Sequence, residues 1–121
     1  MQDRRKSAGL RRLVLAFGHS SRGFKGAFRY EAAFRQEIVL ALVLIPLGVW
    51  LGESAVEKAL LVSSVLFVLI VELLNTAVET VVDRIGLERH ELSGLAKDVG
   101  STAVLLSFGV LAVTWGFLLF S

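Results

Sequence analysis

Apolar residues along this chain come in three long blocks with short polar breaks between them. Val99–Phe120 runs for 22 residues without a charged side chain, enough helix to cross a hydrocarbon core about 30 Å thick. Ala59–Val71 is an uncharged run of 13 residues, reaching spanning length only if the helix continues through Glu72 and Glu79. Ile38–Leu51 supplies 14 uncharged residues and is extended on its N-terminal side by "YEAAFRQE". Pro46 inside it is a kink site of the kind that neighbouring membrane helices tolerate. The pattern predicts an all-α membrane protein, a single domain of 121 residues with transmembrane helices at about 31–51, 57–85 and 94–120.

The polar N-terminal region has a pattern of its own. At about 100° per residue, Leu10, Leu13, Phe17, Phe24 and Phe28 fall within about 60° of one another. Arg11, Arg12, Arg22, Lys25 and Arg29 take the flank and the opposite side. That predicts an amphipathic surface helix over about 8–30, its apolar side in the lipid and its basic side on anionic headgroups. The stretch "GHSSRGFKG" is a place where a turn would interrupt it. No signal peptide is expected, because 37 charge-rich residues precede the first apolar block and no small-residue cleavage site follows it.

Charge and composition narrow the class. The chain is 55% hydrophobic, and its mean hydropathy of +0.69 is not that of an ordinary soluble domain. Its net charge is only +2, but nine of its 13 Lys and Arg residues lie in 1–35, one in 52–58 and three in 83–98. The positive-inside rule then puts the N-terminus and 83–98 in the cytoplasm, with 52–58 and Ser121 outside. A basic N-terminus would suit nucleic acid in a soluble protein; before three apolar blocks it points to the membrane surface instead. The absence of cysteine excludes disulfides and thiolate metal sites.

The second block is where chemistry shows. In "VELLNTAVETVVDRIG", Glu72, Asn75, Glu79 and Asp83 fall within an arc of about 80° on a helix. A charge at mid-bilayer costs about 2.5–3.5 kcal/mol on insertion scales, so this stripe must face protein or water. One such residue would serve as interhelical glue; four on one stripe call for another explanation. Counting about 1.5 Å per residue from the outer helix ends places Glu31, Glu79 and Asp98 at one level, about 30–33 Å in. Glu72 and Glu37 lie deeper in the lipid, about 21–22 Å in. Carboxylates gathered at a cytoplasmic rim suit Mg²⁺, which uses one or two of them plus substrate phosphates. Lys97 can add a positive charge for those phosphates. A metal-bound nucleotide at the rim and a lipid hydroxyl arriving near Glu72 describe a phosphoryl transfer, which asks for positioning, charge neutralisation and a base. Neither a Walker motif nor a kinase-type glycine loop is present.

With "EAAFRQE" (31–37), "VELLNTAVETVVDRIG" (71–86) and "HELSGLAKDVGSTAV" (90–104), the chain resembles the bacterial integral-membrane diacylglycerol kinase family over nearly its whole length. The resemblance implies a homotrimer in the bacterial inner membrane, with active sites shared between protomers. It implies Mg²⁺-dependent transfer of the ATP γ-phosphate to diacylglycerol, giving phosphatidic acid. Glu72 falls on the family's general base, and Glu31 and Glu79 on its metal-binding glutamates. Nucleotide contacts fall on Lys97, Asp98, Glu88, Arg89 and His90, with Arg12 and His19 added from the N-terminal region, where His19 replaces an expected aromatic. On the lipid side fall Arg35, Gln36, Glu37, Asn75 and Ser101.

Other residues have structural readings. Asp83 is expected to pair with Arg84 or a neighbouring base, Ser93 to cap a helix, Trp50 and Trp115 to anchor at the interface, and Gly100 and Gly109 to allow close packing. Two rival functions stand beside the lipid kinase: an undecaprenol kinase of the same family, and a proton-coupled transport subunit. The second usually needs its ionisable group near the midplane, whereas these carboxylates collect at the rim.

Overall fold

The computed structural model describes residues 2–121, with side chains from Ala8 onward, so Arg4, Arg5 and Lys6 of the basic N-terminus lie outside the described side chains. It holds four helices: α1 (Gln2–Tyr30), α2 (Ala32–Leu51), α3 (Ala55–Ile85) and α4 (Glu91–Phe120). No strand occurs among the described residues. α2, α3 and α4 are each long and apolar enough to cross a membrane. The chain divides into two compact units, one ending at Ala32 and the other running from Ala33 to Ser121.

In the first unit α1 is one unbroken helix. The turn expected in "GHSSRGFKG" does not form. Glycine costs a helix only about 1 kcal/mol relative to alanine, and local contacts hold this one together: Ser20 Oγ donates to Ala16 O (2.9 Å), and Phe24 and Phe28 stack with ring centroids 6.5 Å apart. Leu10, Leu13 and Phe17 are exposed.

The second unit is built around α3. Its N-terminus carries a capping arrangement: the Ser54 hydroxyl accepts from Glu57 N (3.1 Å), and the Glu57 carboxylate accepts from Glu53 N (2.7 Å). The helix buries Leu61, Ser64, Val65, Val68, Glu72 and Asn75. Their three- and four-residue spacing makes one stripe. The apolar upper part of this stripe and its polar lower part therefore share one register, so whatever packs against Val68 also directs Glu72 and Asn75 inward.

Near the Leu51 end of the unit, α2, α3 and α4 approach closely. A Cβ on Gly48 would stand 3.1 Å from Leu61 Cβ and 3.5 Å from the Trp115 ring, so only glycine fits comfortably. Trp115 Nε1 donates to Leu61 O (3.2 Å) and Ser64 Oγ (3.1 Å). Trp115 is thus a strap between α4 and α3 rather than the interfacial anchor expected, because its indole N–H finds buried acceptors on α3. Trp50, by contrast, is exposed. Pro46 sits within α2 without ending it. Ser107 is fully buried on α4 and donates to Val104 O (2.6 Å), satisfying its hydroxyl locally. Gly109 meets no neighbouring atom, whereas Gly100 lies against Asn75.

Candidate active site

Glu72 is only 5% exposed, although the faces of α3 beside it carry Leu74, Ile70 and Phe67 outward. The register described above turns it inward, where it meets Glu37 of α2, itself 7% exposed. The two side chains come within hydrogen-bonding reach of each other. Two carboxyl groups so placed can hold one proton between them. Glu37 Oε2 is buried and has no hydrogen-bond partner, leaving an acceptor open beside Glu72.

One turn further along α3 is Asn75, 9% exposed. Its Nδ2 donates to Glu79 Oε1 (3.2 Å), an i,i+4 contact of the kind a helix makes naturally. Asn75 Oδ1 is buried without a partner, as is Thr76 Oγ1. Buried polar atoms normally find partners, so each orphan asks for a reason. Three such atoms lie here, on neighbouring turns of α2 and α3.

Toward the C-terminal end of α3 and the N-terminal end of α4, Lys97 Nζ lies 2.9 Å from Asp83 Oδ1. Of the two partners expected for Asp83, Arg84 or a neighbouring base, the structure gives the second, Lys97 on α4: Arg84 is its chain neighbour, and i,i+1 side chains on a helix diverge. Asp98 and Ser101 are exposed on α4. In the connection between the helices, the Glu88 carboxylate folds back over Gly86, where a Cβ would stand 2.7 Å from it. His90 Nδ1 accepts from Leu92 N (3.1 Å) and is the N-cap of α4, the role expected of Ser93. With Nδ1 occupied as an acceptor, the ring keeps Nε2 for other partners. Glu88 and His90 line an open cleft of about 310 Å³ with Val82, Ile85, Gly86, Leu92 and Ser93. Arg89 beside them is exposed.

On α2, Arg35 is half-buried and Gln36 exposed. The remaining candidates belong to the first unit. Arg12 is exposed, and His19 Nδ1 accepts from the Arg22 guanidinium (2.6 Å), so the imidazole is held by its own helix. Glu31 closes α1, its N–H donating to Ala27 O (2.9 Å). Among the described residues no three acidic or histidine side chains gather into a metal cage.

The second unit thus brings together Glu37 with Glu72, Asn75 with Glu79, and Asp83 with Lys97. Sequence reasoning passed over two features. The Asp83–Lys97 pair needs the α3–α4 packing to exist. Gly100 packs closely as expected and Gly109 does not, but that Asn75 is the neighbour of Gly100 also needs the α3–α4 packing to exist.

Residues 18–119 match the family model described as prokaryotic diacylglycerol kinase. The chain is 53% identical over 115 residues to a diacylglycerol kinase of Haemophilus influenzae, covering 95% of this chain and 98% of that one. It is 50% identical over 115 residues to a diacylglycerol kinase of Escherichia coli, with 95% and 94% covered. A third relative, a diacylglycerol kinase of Pseudomonas aeruginosa, is 51% identical over 111 residues, with 92% and 90% covered.

Proposed function

Because the chain belongs to the prokaryotic diacylglycerol kinase family, we propose that it transfers the γ-phosphate of ATP to the free hydroxyl of diacylglycerol at the cytoplasmic face of the bacterial inner membrane, giving phosphatidic acid. The observation that carries this reading is Glu72: a buried carboxyl on an apolar helix, paired with a second carboxyl, one turn from the Asn75–Glu79 contact. A carboxyl is costly inside a bilayer and is retained where it acts.

The chemistry follows from the order of groups along α3. The lipid hydroxyl oxygen bonds to the γ-phosphorus as the bond from phosphorus to the departing ADP oxygen breaks. The hydroxyl proton passes to Glu72 as general base, a contribution worth about 10²–10⁴ in rate. Glu37 Oε2, buried without a hydrogen-bond partner, offers an acceptor to the glycerol end of the lipid, and Arg35, Gln36, Asn75 and Ser101 complete that side. Lys97 is held at the end of α4 by Asp83, where its charge can meet the phosphates. Asp98, Glu88, Arg89 and His90 complete the nucleotide side, with Arg12 and His19 contributed by α1.

Mg²⁺ fits this residue set. Glu79 keeps a second carboxylate oxygen beyond the one that accepts from Asn75, the kind of sparse donor that Mg²⁺ takes alongside phosphate oxygens. Glu79 and Glu31 would hold it, and it would neutralise charge on the transferring phosphate. α4 leaves most of its apolar length uncovered within one chain, with Leu105, Leu106, Val113 and Phe117 exposed. That surface is open to further copies of the chain, and our reading is a homotrimer with shared sites; the basic residues of 1–35 and 83–98 support an N-terminus in the cytoplasm with Ser121 outside.

The test is ATP consumption by the purified protein in lipid vesicles, with diacylglycerol, with undecaprenol and with neither. Turnover that depends on diacylglycerol is expected. Preference for undecaprenol would change the acceptor, and absence of lipid-dependent turnover would overturn the kinase reading.

A further inference from the structure

Gly100 is the point on α4 that faces Asn75. A Cβ built there would overlap Asn75 Oδ1 and approach Cγ to 3.1 Å, while the other glycines of α4, Gly94, Gly109 and Gly116, meet nothing within 4 Å. So this glycine is tied to one side chain and not to helix packing in general. Asn75 in turn donates from Nδ2 to Glu79 Oε1 (3.2 Å). The amide orientation follows chemically: only the NH₂ side can face a carboxylate, which puts Oδ1 against Gly100. From these contacts we infer that Gly100 and Asn75 form one positioning device for Glu79, with Gly100 providing the space in which the amide turns its donor toward the carboxylate.

The physical reason is restraint. Glu79 has three side-chain torsions and is half-buried near the end of an apolar helix. Without a fixed donor its carboxylate would sample several rotamers. One hydrogen bond from a buried amide selects among them and leaves Glu79 Oε2 for a cation. Asn75 cannot rotate about its own χ2 to relieve a clash at Oδ1 without also moving Nδ2 off Glu79, since both atoms ride on one planar group. An added methyl at position 100 therefore acts on Glu79 from the neighbouring helix without touching it. Outer-shell partners of this kind typically contribute about 10–100-fold to metal affinity.

This rests on the proposed role of Glu79 as a cation ligand, and the experiment separates the two. The full-length protein in detergent is titrated with Mn²⁺ in the presence of a non-hydrolysable ATP analogue, and bound Mn²⁺ is read by electron paramagnetic resonance. Wild type, Gly100→Ala, Asn75→Ala, the double variant and Glu79→Gln are compared, with the melting temperature of each. The expected result is an affinity loss of about tenfold or more in each single variant, Glu79→Gln included. The double variant should be no weaker than Asn75→Ala alone, because alanine in place of Asn75 has no amide for the methyl to displace. Likewise Gly100→Ala should lower the melting temperature when Asn75 is present and leave it unchanged when Asn75 has been replaced by alanine. If Gly100→Ala does not fold, Asn75→Ala carries the affinity test and the double variant the coupling. Unchanged Mn²⁺ affinity in Asn75→Ala overturns the positioning role, and additive losses in the double variant overturn the coupling to Gly100. Mn²⁺ affinity unchanged in Glu79→Gln overturns the assignment of Glu79 itself, whereas a loss in Glu79→Gln with none in Asn75→Ala overturns only the positioning role.

Discussion

Replacing Glu72 by glutamine separates its chemical role from its structural one. The side chain is 5% exposed and meets Glu37. Glutamine is nearly isosteric and brings an NH₂ donor, so it can still hydrogen-bond to Glu37 while removing an ionisable group from the membrane. Insertion scales charge about 2.5–3.5 kcal/mol for a charged side chain at mid-bilayer. The variant should therefore melt at the wild-type temperature or above. What glutamine cannot do is accept the hydroxyl proton, and loss of a general base slows turnover typically by about 10²–10⁴. Leucine at the same position gives a contrast: it leaves Glu37 buried without its partner, costing about 1–3 kcal/mol. Glu72→Gln should thus be stable and at least about a hundredfold slow, and Glu72→Leu both slow and less stable. The assay is diacylglycerol-dependent ATP turnover in vesicles, read beside thermal stability in one detergent. ATP-analogue binding should survive in the glutamine variant. Near-normal turnover by Glu72→Gln would refute the reasoning and leave Glu72 as a packing group.

Four further outcomes are expected. Glu79→Gln or Glu31→Gln should abolish turnover or sharply raise the Mg²⁺ requirement while the protein still folds, as a Mg²⁺ titration of activity would reveal. Lys97→Met should raise the KM for ATP more than the KM for lipid, and steady-state kinetics with each substrate varied would show the asymmetry. Trp115→Phe removes the N–H that reaches Leu61 O and Ser64 Oγ; a loss of roughly 0.6 kcal/mol, up to about 1.7, should appear as a lower melting temperature with turnover intact. Gly48→Val would force a branched side chain against Leu61 and Trp115 and should destabilise by about 1–3 kcal/mol, measurable by thermal or denaturant unfolding in detergent.

Much of the plan could be read before any packing was known. Three apolar blocks, two of them of spanning length once extended through flanking polar residues, can only be helices in a bilayer, since no other open segment satisfies its own backbone there. Their number and order in the structure follow those blocks. The polar stripe on the second block was also legible, because helical periodicity puts Glu72, Asn75, Glu79 and Asp83 on one face whatever surrounds them. The contact from Asn75 to Glu79 is a consequence of the same spacing.

Contacts between helices were not legible in this way. Nothing in the order of residues says that Asp83 meets Lys97, that Trp115 reaches back to Leu61 and Ser64, or that Gly100 stands under Asn75. Each joins residues far apart in the chain, and each depends on the rotation and offset of one helix against another. Hydropathy is nearly blind to that rotation here, because apolar side chains cover most of α4 and suit lipid as well as protein. In a membrane, burial of apolar surface does not distinguish one partner from another, so close packing at small residues and a few hydrogen bonds choose the arrangement. Sequence alone therefore determined that this chain spans the membrane as helices and carries carboxylates on one inward stripe. Only the tertiary structure decided which neighbour each polar group meets, since that choice is made by steric fit across helices rather than by periodicity within one.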